Sequence, residues 1–232
     1  DEARDSFLVD VRNHYESRIG YFKSPLTGEP ALRPPIRRFS QWPQYVKAHI
    51  DDLKRTTKGK QILTYCTGGI RCEKGVRWMQ EYMGEGDTVF TLKGGIAAYL
   101  EWMDAEIREG KKTPEESLFK GRNYVFDARG ALGLAEGETL VSRCLVCDKP
   151  SARLDKCRSE KCHLVLVICE ECQTSDPRCC SDCRQIDSTE LAPEGNVKKA
   201  RLICACERAR EDSLWIGKRE KTHSRAKTGR RT

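Results

Sequence analysis

No stretch of about 18 apolar residues, the length a membrane-crossing helix needs, occurs anywhere in the chain. Nor does it open on a charged segment followed by an apolar run and a small-residue cleavage site. A soluble, intracellular protein is expected, with the cytosol as its compartment and no membrane partner. The sequence also lacks a flavin or nicotinamide fingerprint, a recognisable iron triad and an obvious tandem repeat. An initiator methionine is missing too. The chain begins at Asp1 and reaches the apolar run Phe7-Leu8-Val9 with no room for the helix that usually precedes such a strand in an α/β unit. It therefore reads as an excerpt of a longer protein.

What the chain has in excess is cysteine. Thirteen thiols would suggest a disulfide scaffold in a short secreted protein, but the count is odd and the spacings are metal-like, which favours a reducing compartment. The net charge of +7 is the second excess, and it is local. Between Gly217 and Thr232 seven Lys or Arg stand against one acid, Glu220. Residues 217–232 read as a disordered basic arm, either a solvated tail or a contact for nucleic acid. At 232 residues the chain is long enough to bury a real core, as one large domain or two small ones.

Phe7 to Val11 has strand length, and a helical turn through Tyr15 and Arg18 to Ile19 follows it. Ser24 to Pro35 carries four prolines and Gly28, so it is a loop. Ser40 caps a helix with Tyr45, Val46, Ile50 and Leu53 at helical spacing. Gln61 to Tyr65 is the central strand and Cys72 to Met83 a helix; Thr88 to Leu92 is a third strand, Gly94-Gly95 a turn, and Ile96 to Glu109 a further helix. Strands alternating with helices predict an α/β fold, a parallel sheet flanked by helices and joined by right-handed crossovers. After Lys111 the character changes. The expected organisation is an α/β domain over 1–110, a connecting segment over 111–138, a cysteine-rich module over 139–190 and a helix within 191–216.

The most informative motif is Cys66-Thr67-Gly68-Gly69-Ile70-Arg71, between the apolar run Ile62-Leu63-Thr64-Tyr65 and a helix. A thiol at the carboxyl end of a buried strand, followed by glycines and a helix start, meets inward-turned amides and the positive end of the helix dipole. Such a thiol ionises easily. Phosphatases of the Cys-x5-Arg type place five residues before the arginine, whereas Arg71 follows only four and Cys72 stands where that arginine would be. The smaller ring suits an atom added to sulfur better than a phosphate.

This loop, with Asp10-x-Arg12 after the first strand and Leu92-x-Gly94-Gly95 after the third, resembles the rhodanese-like family. In that family the loop cysteine becomes a persulfide held by loop amides, and Cys66 is the matching position. Cys66 to Lys74, Arg12-Asn13-x-Tyr15-Glu16, Gly94-Gly95-Ile96 and Gly121-x-Asn123-Tyr124-Val125-Phe126-Asp127-x-Arg129 look like its oxygen-dependent tRNA uridine hydroxylase branch. The proline loop and Ile36-Arg37-Arg38-Phe39-Ser40 look more like the eukaryotic members of that branch, the rhodanese-like domain-containing protein 2 type. The resemblance covers about residues 7 to 183. It implies hydroxylation of the wobble uridine of tRNA to 5-hydroxyuridine, with molecular oxygen as co-substrate and the residue at Cys66 required. Bacterial members carry a ferredoxin-like domain ahead of the rhodanese one. Two rivals stand beside this: persulfide transfer from thiosulfate or another small sulfur donor, and a non-catalytic binding module.

Arg71 caps the loop, lowers the pKa of Cys66, or does both. Cys72 has two readings, a thiol that resolves an oxidised or persulfurated Cys66 and a small apolar residue of the first helical turn. Asp10 and Arg12 are expected to anchor the loop through a buried ion pair or backbone bonds. Arg37, Arg38, Lys74, Arg77 and Arg122 are candidate contacts for tRNA phosphates, with a solvated helix face the other explanation for Lys74 and Arg77.

Nine cysteines fall between positions 144 and 183: Cys144-x2-Cys147, Cys157-x4-Cys162, Cys169-x2-Cys172 and Cys179-Cys180-x2-Cys183. Four pairs make two closed four-sulfur sites for two structural zinc ions, formed by Cys144, Cys147, Cys157, Cys162, Cys169, Cys172, Cys180 and Cys183. One cysteine is then spare, Cys179 or Cys180, with His163 a substitute ligand. The pairing of pairs is open, a crossed arrangement joining first with third and second with fourth. The segment has too few apolar residues to form a core without such a staple. Cys204-x-Cys206 is too short to chelate alone and stays unassigned.

Overall fold

Three apolar runs that read as strands pair side by side in a parallel sheet. In the computed structural model, which describes residues 5–83, 88–159, 162, 164–188, 204–206 and 208–209, β1 is Ser6–Asp10 and α1 is His14–Ile19. β2 (Gly20–Phe22) leads to the proline-rich segment, and a 3-10 turn then runs into α2 (Trp42–Thr57). β3 is Gln61–Tyr65, α3 Ile70–Tyr82, β4 Val89–Thr91 and α4 Gly95–Arg108. The parallel sheet has the order β1-β3-β4, with Phe7 opposite Ile62 and Ile62 opposite Val89. The central strand is thus the one that ends at the Cys66 loop.

Apolar clusters cover the sheet on both faces, as expected of a parallel sheet, while the edge strand β4 leaves Phe90 exposed. One cluster packs Val9 and Ile62 with Trp42 and Val46 of α2 and Met79 of α3; another packs Tyr65 with Ile96 and Leu100 of α4, Phe22 and Phe119. The close meeting of α2 and α3 depends on Gly75. Trp42 Nε1 donates to its carbonyl at 3.1 Å, and a Cβ there would meet Val11 Cγ1 at 2.9 Å.

Two local expectations are corrected. Ser40 does not cap α2: it lies inside the 3-10 turn Phe39–Gln41, Gln41 takes the cap position, and its side-chain oxygen accepts from the Arg37 and Arg38 amides at 2.8 and 3.2 Å. Pro43, in the first helical turn where its missing N–H costs nothing, sets that start. The proline-rich segment is not only a loop. Leu32 lies against β1, its amide donating to Leu8 O at 2.8 Å and its carbonyl accepting from Asp10 N at 2.9 Å.

Beyond α4 the elements are short antiparallel pieces. β5 (Phe119–Gly121) pairs with β2; β6 (Asn123–Tyr124) pairs with β7 (Ala131–Leu132). β8 (Leu154–Lys156) pairs with β9 (Val165–Val167), and α5 is Ser181–Ser188. No described helix is long and apolar enough to cross a membrane. His163 and the basic arm lie outside the described residues, as does nearly all of 191–216.

Candidate active site

The thiol loop is closed by α4 as much as by its own helix. Ile96 N donates to Cys66 O at 2.9 Å and Ala97 N to Thr67 O at 3.0 Å, so the first turn of α4 is stitched to the loop. That contact leaves no room for side chains. Gly69 and Gly95 both have positive φ, and a Cβ on Gly95 would fall 2.5 Å from Cys66 O and 2.8 Å from the Gly68 and Gly69 amides.

Cys66 is only 1% exposed. Its Sγ accepts from the Gly69 amide at 3.1 Å. The thiol is pulled down to about 5, chiefly by a hydrogen bond from the Cys72 side chain, with burial opposing and the backbone amides and charge of this loop assisting. Cys72, fully buried in the first turn of α3, is pushed up by the same bond and by burial. The pair therefore divides its roles into one thiolate and one thiol donor. Cys72 is a buried residue of the first helical turn, packed in the same cluster as Cys66.

Arg71 does not reach out of the site; it reaches across to α1. Its Nη1 and Nη2 each lie 2.7 Å from an oxygen of Glu16, and Nη2 donates to Thr67 Oγ1 at 2.9 Å. Glu16 is fully buried and also accepts from Asn13 N at 3.1 Å and Thr67 Oγ1 at 3.2 Å. The Arg71 guanidinium stands 5.7 Å from the ring centre of Phe126, which is 66% exposed. Beside it Ile70 is exposed at the helix start. Glu16 and Phe126 stood in motifs quoted from the sequence, yet no local signal gave either a role at the thiol.

Asp10 and Arg12 make the expected buried ion pair. Arg12 Nη2 is 2.8 Å from Asp10 Oδ2, its Nε is 3.0 Å from Oδ1, and both residues are 0% exposed. Arg12 also donates to Gly20 O at 2.5 Å and lies over the Tyr65 ring at 5.8 Å, tying the end of β1 to β2 and β3. Beyond Asp10, the hydrogen bonds of Arg12 go to Gly20 O and Asn123 Oδ1.

Two family models match this chain in order, "Rhodanese-like domain" over residues 1–101 and "Rhodanase C-terminal" over residues 120–184. The chain is a rhodanese-like protein. It is 33% identical over 218 residues to "Rhodanese-like domain-containing protein 6" of Arabidopsis thaliana, covering 88% of this chain and 35% of that protein. It is 35% identical over 184 residues to "tRNA uridine(34) hydroxylase" of Buchnera aphidicola, covering 78% and 51%, and 34% identical over 202 residues to the protein of the same name in Leptospira interrogans, covering 87% and 49%. The chain spans about a third to a half of the length of these curated relatives.

Around the rhodanese-like loop, the basic residues named as tRNA contacts divide. Arg38, Lys74 and Arg77 are exposed. Arg37 donates to Cys162 O at 2.9 Å, and Arg122 pairs with Glu138, Nη2 to Oε2 at 2.6 Å. The last two are engaged with the protein itself.

The rhodanese C-terminal region gathers its thiols into groups of four, each within 4.8 Å of one another and so close enough to hold a metal ion. Cys144, Cys147, Cys169 and Cys172 form one, which joins the first sequence pair with the third. Cys157, Cys162, Cys179 and Cys183 form a second. Cys179, one of the two cysteines between which the spacing left the spare, stands in this group, its amide donating to Cys157 Sγ at 3.4 Å. Cys180 instead belongs to a third group with Cys179, Cys183 and Cys204. Cys204, unassigned from sequence, comes from beyond the expected module.

Proposed function

We propose that this chain is the thiol-bearing part of a tRNA uridine(34) hydroxylase, with Cys66 as the catalytic residue. The observation that carries the reading is the poised sulfur: Cys66 Sγ accepts from Gly69 N at 3.1 Å, is held down to about 5, and lies in a loop flanked by the exposed Phe126 and Ile70. A thiolate is the nucleophilic form of sulfur, and uracil is electrophilic at C6. Addition of Cys66 there would make C5 electron-rich, the position that gains oxygen. The Phe126 ring offers a flipped-out base a stacking surface beside Arg71 of the thiol loop.

The reaction balance gives Cys72 a place. Inserting one oxygen atom from O2 into a C–H bond consumes two electrons and two protons besides oxygen. The Cys66 thiolate and Cys72 thiol supply both electrons and one proton, and solvent the other proton: uridine, O2, one proton and this pair yield hydroxyuridine, water and a disulfide, which an external thiol then reduces. The packing of both cysteines in one buried cluster supports this role. Arg71, fixed by Glu16, adds positive charge that keeps Cys66 ionised. Asp10 and Arg12 position the loop, and the exposed Arg38, Lys74 and Arg77 receive backbone phosphates.

The four-thiol groups take structural zinc. An all-sulfur tetrahedral set suits zinc, whose sulfurs stand roughly 3.8 Å apart for a bond of about 2.3 Å, and Cys147 and Cys169 are 3.6 Å apart. The odd count and metal-like spacing of the cysteines fit a reducing, cytosolic compartment.

Persulfide transfer is the second reading, favoured by the rhodanese-like match and by the Gly69 amide on the Cys66 sulfur. One experiment separates the two. Cells lacking the protein are complemented with wild type or Cys66→Ser, and tRNA nucleosides are analysed by mass spectrometry. Hydroxylation requires 5-hydroxyuridine to fall and only wild type to restore it; unchanged nucleosides, with one added sulfur atom on Cys66 after thiosulfate, would move the assignment to sulfur transfer. Full rescue by Cys66→Ser would leave a binding role alone.

A further inference from the structure

The second cysteine cluster gathers more sulfur than one ion uses. Cys157, Cys162, Cys179 and Cys183 make one four-thiol group, and Cys179, Cys180, Cys183 and Cys204 make another. The groups overlap at Cys179 and Cys183, so together they contain six thiols. One tetrahedral ion takes four and would leave two idle; two separate ions would need eight. Six sulfurs satisfy two tetrahedral ions when two of them are shared.

We propose that these six cysteines form a binuclear zinc–thiolate centre in which Cys179 and Cys183 bridge both ions. Cys157 and Cys162 complete one ion, and Cys180 and Cys204 complete the other. The inference rests on the reading that these groups take zinc, and goes beyond it in the number of ions and in the bridge.

The sulfur spacing carries the bridge. When two tetrahedra share an edge, repulsion between the cations draws the shared pair of anions together, so the shared edge is the shortest. Cys179 Sγ and Cys183 Sγ are 3.2 Å apart. From Cys179 the other sulfurs are farther: 3.6 Å to Cys162, 3.6 Å to Cys204 and 3.8 Å to Cys180. A bridging sulfur neighbours the terminal ligands of both ions, and Cys179 does so; Cys162 and Cys204, terminal on different ions, are 4.0 Å apart here and must separate when both ions bind.

The chain also builds the second ion's corner deliberately. Cys183 lies in the first turn of α5, and Cys204 is brought to it by a separate tie, Ala205 N donating to Asp182 Oδ2 at 3.1 Å. Binding two zinc ions releases six thiol protons and leaves two net negative charges. Positive groups stand next to that charge: Arg37 on Cys162 O at 2.9 Å and Arg178 on Cys183 O at 3.4 Å. Cys206 is outside the centre, exposed, with its thiol donating to Cys179 O at 3.7 Å.

The test is the zinc count of the full chain by native mass spectrometry, together with zinc X-ray absorption. Three zinc ions per chain are expected, one at Cys144, Cys147, Cys169 and Cys172 and two at the shared centre. The spectrum should contain a zinc–zinc vector of about 3.3 Å, from Zn–S bonds of about 2.3 Å across the 3.2 Å shared edge. Cys204→Ser should lower the count from three to two and erase that vector; Cys144→Ser should lower the count and keep it; Cys206→Ser should change neither. Two zinc ions in wild type without the vector would overturn the bridge while leaving zinc binding intact, and a chain with no zinc would overturn both. If Cys204→Ser fails to fold, the wild-type count and vector still decide.

Discussion

Glu16 grips both ends of the Arg71 guanidinium, each carboxylate oxygen 2.7 Å from a nitrogen, although the residues are 55 apart in sequence. Burial of the carboxylate makes this more than a surface pair, since losing one partner leaves the other charge uncompensated. Glu16→Gln should therefore destabilise the protein by about 3 kcal/mol, read as a lower urea midpoint. The freed guanidinium would also loosen Thr67, so alkylation of Cys66 should change rate in the same variant. A midpoint within experimental scatter of wild type would show that the clasp contributes little.

The two thiols should titrate far apart. Cys66 sits at about 5, so its alkylation by iodoacetamide should rise through that pH and be flat at neutrality. Cys72→Ala removes the largest cause of the depression and should move the midpoint upward. Stability follows the same pKa values. The depressed Cys66 stabilises the fold fully above its unfolded value near 9, and that contribution is lost as pH falls towards 5. Above about 9 the raised Cys72 opposes it, because the unfolded chain ionises there and the folded one does not. The urea midpoint of wild type minus that of Cys66→Ser should thus grow between about pH 5 and 9; a flat difference would contradict the depressed thiol.

Phe126 supplies the test of substrate stacking. Its ring is exposed beside the Arg71 guanidinium and contacts Tyr124 edge to face at 4.9 Å, so Phe126→Ala removes surface without opening the core. A stacked base is worth about 1–3 kcal/mol, so kcat/KM on tRNA should fall about tenfold or more. Cys66 alkylation should stay as in wild type, which separates lost stacking from a damaged loop.

The parts of this site that are local in sequence were legible, and the parts made by distant chain were not. β3 announces itself as a buried parallel strand, and Gly68-Gly69 followed by α3 marks the thiol loop. Glu16 gives no such signal, since one acid on a short helix reads as solvated until the fold brings α1 against the loop. Leu32 was hidden because prolines on both sides argue for irregular chain, while its own amide and carbonyl remained able to join β1. The pairing of Cys144 and Cys147 with Cys169 and Cys172 was among the arrangements the spacing allowed, but Cys204 follows Cys183 at a distance no ligand rule covers.

Gly95 tests whether α4 shapes the thiol loop. Its φ is +63°, and an added Cβ would fall 2.5 Å from Cys66 O, with two loop amides at 2.8 Å. Neither partner is a flexible side chain that can yield. Gly95→Ala should cost about 2 kcal/mol of stability and push the loop amides off the sulfur. The telling readout is the alkylation midpoint of Cys66, which should rise as the loop opens. A destabilised variant with an unchanged midpoint would mean that the loop holds its shape without α4.

Metal removal should act on one region before the other. The sheet packs its own apolar core, whereas four of the seven fully buried side chains of the second cluster are cysteines, with only Leu164, Leu166 and Ile168 beside them. Thiols without a metal give such a segment little to fold around, so a zinc chelator should expose residues 139–188 to proteolysis while residues 5–110 stay protected. Arg37 links the two through Cys162 O, so its segment should be the first part of the sheet domain to gain amide exchange. Uniform cleavage along the chain after chelation would instead make the cysteine module a requirement for the whole fold.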